Sequence, residues 1–203
     1  MHYGRGGYGR PNLNVLWTII GINIVVFIID LMVQYSSLSR DLGYFFALYP
    51  LFVWNEPWTL ITSMFMHADM MHIFFNMLWL YFFGSYIIML VGDRKFLMVY
   101  FIGGIVGGLF YVWLAAFPYP PAVGASGAVF ALGGMLAVMQ PKLKVMLMFI
   151  PVPLSLWVVV TGSFLLGFIF PNIAWQGHLG GLLVGMAFGF YFRRKPRRII
   201  FYR

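Results

Sequence analysis

The sequence holds no cysteine, which excludes a disulfide framework, a thiolate metal site and a cysteine nucleophile. Charge is nearly as scarce. Charged residues are 9% of the 203 positions, where a soluble domain carries about 25%. Only 5 residues are acidic, whereas apolar side chains make up 62%. The metalloprotease signature His-Glu-x-x-His is missing. So is a pair of aspartates inside apolar runs, because Asp30, Asp69 and Asp93 stand at the ends of such runs. Residues 1–14 are polar and lack a short apolar core backed by a small-residue cleavage site. The first apolar run is therefore expected to be a retained anchor.

What is present is apolar sequence in runs of about 20 residues, the length that crosses a bilayer as a helix. These runs predict an all-α polytopic membrane protein with spans at 15–33, 68–91, 96–117, 126–140, 145–170 and 175–192. Residues 1–14 and 193–203 are tails on this single membrane domain, the second one basic. The net charge of +8 follows topology rather than a nucleic-acid partner. With six spans, all but one of the 13 Lys and Arg residues fall on one side, the exception being Arg40. The positive-inside rule then places both termini in the cytoplasm of a multi-pass protein of the cell membrane. The long connection 34–67 carries Tyr44, Phe45, Phe46, Tyr49, Phe52, Trp54 and Trp58 among few charges. That composition suits a loop lying in the outer interface, and equally an ordinary packed loop.

The fourth span is too short. From Ser126 to Gln140 it covers roughly 22 Å, against roughly 30 Å of hydrocarbon, before Pro141, Lys142 and Lys144 stop it. Its start, Gly124-Ala125-Ser126-Gly127, is thus expected below the outer surface. Non-helical backbone at that depth requires a protein-lined or water-filled pocket. Polar residues inside spans are rare and usually functional. Asn76, Ser126 and His178 each lie about 15 to 17 residues from a charge at the cytoplasmic end of their span, a common height of about 22–26 Å. His72 stands one turn above Asn76 on the same helix face. Small residues recur on one face of the sixth span (His178, Gly181, Gly185) and of the fourth (Ser126, Gly133, Ala137). Packing these faces together is expected to bring His178 toward Ser126.

Those residues are complete for acyl transfer. A serine hydroxyl becomes a nucleophile when a neutral histidine accepts its proton. The oxyanion then needs preorganised donors. The Ser126 N–H at a helix start, the Asn76 amide and the His72 ring can supply them. No carboxylate lies at this depth, so the base is expected to be oriented by packing, against Phe130 one turn below Ser126. A haem or zinc site built from His67, His72 and His178 is a rival, but it leaves the Gly-Ala-Ser-Gly helix start without a role.

Together these residues resemble the rhomboid family of intramembrane serine proteases. His72-Ile73-Phe74-Phe75-Asn76 is similar to the His-x-x-x-Asn motif of its second helix, and Gly124-Ala125-Ser126-Gly127 to its Gly-x-Ser-Gly motif. His178-Leu179-Gly180-Gly181, continuing to Gly185, is similar to the His-x-x-Gly-x-x-x-Gly pattern of its sixth helix. The resemblance implies a six-helix bundle with a submerged fourth helix and a long first loop. It implies a Ser126–His178 dyad, with Asn76, His72 and the Ser126 backbone lining the oxyanion hole and Gly124, Gly127, Phe130, Gly133, Gly181 and Gly185 packing around them. It further implies no cofactor or metal, transmembrane proteins as substrates, a site opening to the extracytoplasmic face, a lid at 170–174 and substrate entry beside the fifth helix. Two positions depart from the family pattern: Thr59 follows Trp58 where an arginine is common, and Phe130 stands where a tyrosine often stacks on the histidine. A non-catalytic rhomboid-like scaffold that binds client helices, and a transporter or cofactor-binding protein, are the alternative functions.

Overall fold

A computed structural model describes residues 12–33, 43–115, 120–147, 150–170 and 173–193. Most of tails 1–14 and 193–203, and the middle of the 170–174 segment, lie outside the described residues. The helices are α1 (Asn14–Val33), α2 (Met70–Val91), α3 (Asp93–Leu114), α4 (Ser126–Met139), α5 (Leu156–Ile169) and α6 (Trp175–Arg193). A short helical turn Thr59–Thr62 and a 3-10 turn Ser63–Phe65 precede α2. Helices α1, α2 and α3 are long and apolar enough to cross a membrane, and α4 and α5 are shorter apolar helices. Asp69 caps α2, its carboxylate accepting from the His72 N–H at 2.8 Å. Gly92, at φ +91°, turns the chain from α2 into α3, a left-handed position that glycine takes without a Cβ penalty.

Residues 145–170 do not form one helical span. Their first part is an antiparallel hairpin of β1 (Lys144–Leu147) and β2 (Ile150–Ser155), with Lys144 opposite Ser155, Val145 opposite Leu154, and a bulge before the Leu147–Ile150 pair. Apolarity alone suggested a helix there; Pro151 and Pro153 forbid it. Each lacks the N–H that a helix interior needs, and each ring would clash with the preceding turn. The helix proper, α5, is left with 14 residues.

Helix α4 sits at the centre. From Ala128 to Val138 nearly every residue is buried, as expected of a helix apolar on all sides. It runs parallel to α6, and glycine lets the two backbones meet. A Cβ at Gly181 would strike the Gly127 carbonyl, one at Gly185 the Ala131 backbone, and one at Gly189 would come within 2.7 Å of Val138. The face of α4 turned to α6 therefore holds Gly127, Ala131, Gly134 and Val138, with Ser126 reaching His178 at its start, and Gly133 is not part of it. Gly133 faces Phe83 of α2 and Val160 of α5 instead. The reason is crowding: α4 has close neighbours all round, so small residues occur on more than one of its faces and a single stripe does not identify the partner. Helix α3 joins the same junction through Gly103 against Ala131 and Gly107 against the Gly177 carbonyl.

The segment before α2 packs on the bundle and also presents aromatics outward. Leu48 pairs with Ala122 in a two-bond bridge and clusters with Val53 and Tyr111. Trp58 donates its indole N–H to the Phe45 carbonyl at 3.0 Å and lies 5.2 Å from the Phe45 ring. Tyr44, Phe45, Phe52 and Trp54 remain exposed.

Candidate active site

The chain reaches α4 through Gly124, whose N–H is held by the Ser63 carbonyl at 2.9 Å and whose φ is +121°. Ser126 is the first helical residue, its N-cap being Ala125. Its backbone N–H is thus one of the donors that a helix leaves unpaired at its start. Across the junction, in the first turn of α6, stands His178, and its Nε2 lies 2.9 Å from Ser126 Oγ. The parallel α4–α6 packing produces this meeting, since both side chains sit at the same end of the paired helices. His178 is buried, and its Nδ1 makes no hydrogen bond. Its ring is held by a stack instead: Phe130 lies 4.3 Å away, centroid to centroid, at 23°. Phe130 in turn meets Phe164 of α5 edge-on at 6.4 Å.

His72 and Asn76 occupy the neighbouring helix. A Cβ at Gly124 would lie 2.7 Å from His72 Cε1 and Nε2, so the imidazole edge touches the backbone that leads into Ser126. Gly124 is needed there twice, for the conformation and for the space. The Ala68 N–H points at His72 Nδ1 from 3.4 Å. In a neutral ring that arrangement places the proton on Nε2, the edge facing Gly124. Asn76 is buried and donates one amide N–H to the His72 carbonyl at 2.9 Å.

Ser126 and His178 also line an open pocket of about 400 Å³ together with Ser63, Gly107, Tyr111 and Ala174. His72 and Asn76 are not among its lining residues. Tyr111 donates its hydroxyl to the Pro120 carbonyl at 2.7 Å and so ties the loop after α3 to this rim. The structure therefore brings His178 into contact with both Ser126 and Phe130, sets His72 against Gly124, and links Asn76 to His72 through its backbone carbonyl. Two contributions escaped the motif reading. One is α3, whose Gly103-Gly104 and Gly107-Gly108 pairs open the junction and the pocket; their four-residue spacing was the available signal. The other is the packing of His67, considered from sequence only as a ligand of the rival metal site: it is buried with neither ring nitrogen hydrogen-bonded and lies 5.1 Å from the His72 ring at 68°. Burial, and next the adjacent His72, push its pKa down to about 3. Among the described residues no three His, Cys, Asp or Glu side chains are placed to share a metal ion.

A half-buried serine hydroxyl and a buried imidazole thus meet at the junction of parallel apolar helices. Residues 54–195 match the Rhomboid domain model. The chain is 30% identical over 192 residues to "Rhomboid protein 1, mitochondrial" of Saccharomyces cerevisiae, covering 88% of this chain and 53% of that protein. It is 36% identical over 135 residues to "Rhomboid protease GluP" of Bacillus subtilis, covering 64% of this chain and 25% of that one. It is 30% identical over 130 residues to "Inactive RHOMBOID-like protein 8" of Arabidopsis thaliana, covering 64% and 36%. The chain therefore belongs to the rhomboid family, a family of multi-pass membrane proteins. It spans about half the length of the first of these relatives and a quarter of the second.

Proposed function

We propose that the chain is an intramembrane serine protease that cleaves peptide bonds in or beside transmembrane segments of other proteins. The observation that carries this reading is the 2.9 Å approach of His178 Nε2 to Ser126 Oγ at the start of a short apolar helix. His178 takes the hydroxyl proton as Ser126 Oγ attacks the scissile carbonyl. The oxyanion is met by the Ser126 N–H, with the His72 Nε2–H and the second Asn76 amide hydrogen as further donors. His178 then returns the proton to the leaving amine, and water hydrolyses the acyl-enzyme by the reverse sequence. With no acceptor at Nδ1, the Phe130 stack orients the base. In this reading six segments cross the cell membrane, both termini face the cytoplasm, and α4 is submerged so that the pocket opens toward the extracytoplasmic side. Helix α4, at 14 residues, is about 21 Å long and falls short of the roughly 30 Å hydrocarbon layer.

A fluorophosphonate probe tests the chemistry. Wild type is expected to be labelled at Ser126, Ser126→Ala to stay unlabelled, and His178→Ala to react about 10²–10⁴-fold more slowly, the usual contribution of a general base. Equal labelling of wild type and Ser126→Ala overturns the reading. The match to a relative named inactive favours a second one, a scaffold that binds client transmembrane helices without cutting them. A labile transmembrane substrate separates the two: the protease yields a product of defined mass that Ser126→Ala does not, and the scaffold retains the substrate uncut in both.

A further inference from the structure

We infer that the β1–β2 hairpin is a docking surface for the headgroup layer of an anionic lipid leaflet. Its base is fastened to the bundle. Val145 is buried, Leu143 and Leu154 pack on the main core, and the Leu156 N–H bonds to the Leu143 carbonyl at 2.9 Å. Further out the cover ends. Val152 shares a strand face with Leu154 by the two-residue repeat, yet it is 55% exposed, and Met146 is 71% exposed. These side chains sit among exposed cations. Lys142 precedes β1 and Lys144 is its first residue, and Arg94, Lys95 and Arg193 lie at the same end of the bundle. Two contacts place them there: Lys95 Nζ is 4.7 Å above the Phe192 ring, and Gly189 abuts Val138 near the end of α4. Among the described residues the one acid at this end is Asp93, which accepts from the Arg94 N–H.

Backbone chemistry fixes the layer. A two-stranded ribbon leaves outer-edge N–H and C=O groups unpaired, and hydrocarbon offers them no partner. Pro151 and Pro153 reduce the number of donors but leave the carbonyls. Exposed Met146 and Val152 favour the opposite direction, out of water. The headgroup layer satisfies both demands, as it does for interfacial helices with one apolar face. The surrounding lysines and arginines select an anionic surface, each gaining from its potential. Because β2 runs directly into α5, a docked ribbon fixes where α5 begins.

The cysteine-free sequence makes a direct test available. Met146→Cys, and separately Val152→Cys, gives the full chain a single site for an environment-sensitive fluorophore. The labelled protein is placed in nanodiscs of phosphatidylcholine alone, or with roughly one third phosphatidylglycerol, each with lipid carrying a nitroxide near the headgroup. Quenching at both positions is expected to be about twofold stronger in the anionic discs, and the difference is expected to vanish with Lys142→Gln and Lys144→Gln together. Equal quenching in both discs overturns the inference, as does an anionic preference that survives loss of the lysines. A fluorophore signal that follows the number of protein copies per disc instead of lipid charge marks a protein contact and also overturns it. The readout needs no enzymatic activity, so it stands apart from the protease proposal.

Discussion

At the scale of single residues, the site depends on what holds an imidazole that has no carboxylate partner. The Phe130 face is the visible restraint on His178. An aromatic contact of this kind contributes about 0.5–1.5 kcal/mol. Phe130→Tyr keeps the ring and is expected to react with the fluorophosphonate at close to the wild-type rate, whereas Phe130→Ala is expected to slow it about 2- to 10-fold. His67 supplies a pH test. Its folded pKa of about 3 lies below the ordinary 6.5, so the unfolded chain binds this proton more readily. Stability is therefore lost as pH falls from the unfolded value toward the folded one, by about 2–3 kcal/mol between pH 6.5 and about pH 4.5. Melting temperatures in detergent at those two pH values are expected to diverge less for His67→Gln than for wild type. Ser126, His178, Asn76 and His72 stood out in the sequence because polar residues inside apolar runs are rare, and the structure brings Ser126 to His178. His67 was read from sequence only as a ligand of the rival metal site; its burial against His72 depends on the turn at Ser63–Phe65, which no periodicity announces.

At the scale of elements, the α3–α4–α6 junction is built on absent side chains. Gly185→Val would drive a branched side chain into the Ala131 backbone, where no rotamer relieves the clash. Such overpacking is expected to cost about 3 kcal/mol or more and to lower the melting temperature sharply. Gly162 in α5 is the control, since a Cβ there meets nothing within 4 Å. Gly162→Ala is expected to leave the melting temperature unchanged or raise it, by up to about 1 kcal/mol of stability. The small-residue pattern showed from sequence that α4 and α6 approach closely, but it named Gly133 where Gly134 and Ala131 make the contact. The hairpin was hidden for a related reason. A run judged by hydropathy reads alike as strand or helix, and here Pro151 and Pro153 were the deciding residues.

At the scale of the whole molecule, charge and length work together. Basic residues mark one end of the described bundle (Arg94, Lys95, Lys142, Lys144, Arg193), while the connections at the other end carry exposed Trp54 and Phe52 and the pocket rim at Ala174. Three long apolar helices set the thickness of the assembly, and α4 and α5, at 14 residues each, reach only about 21 Å. The short central helix starts away from the basic end, where Ser126 lines the open pocket. This arrangement predicts an orientation. Single-cysteine variants Leu51→Cys and Lys142→Cys, both at exposed positions, are expected to react with a membrane-impermeant maleimide from opposite sides of sealed vesicles. Lys142→Cys should be labelled only when the cytoplasmic face is accessible. Labelling of both from the same side would contradict the even-span topology, because Leu51 precedes α2 and Lys142 follows α4, with three proposed crossings between them. The charge asymmetry would then need another cause, and the depth common to Asn76, Ser126 and His178 would lose the boundary from which it is measured.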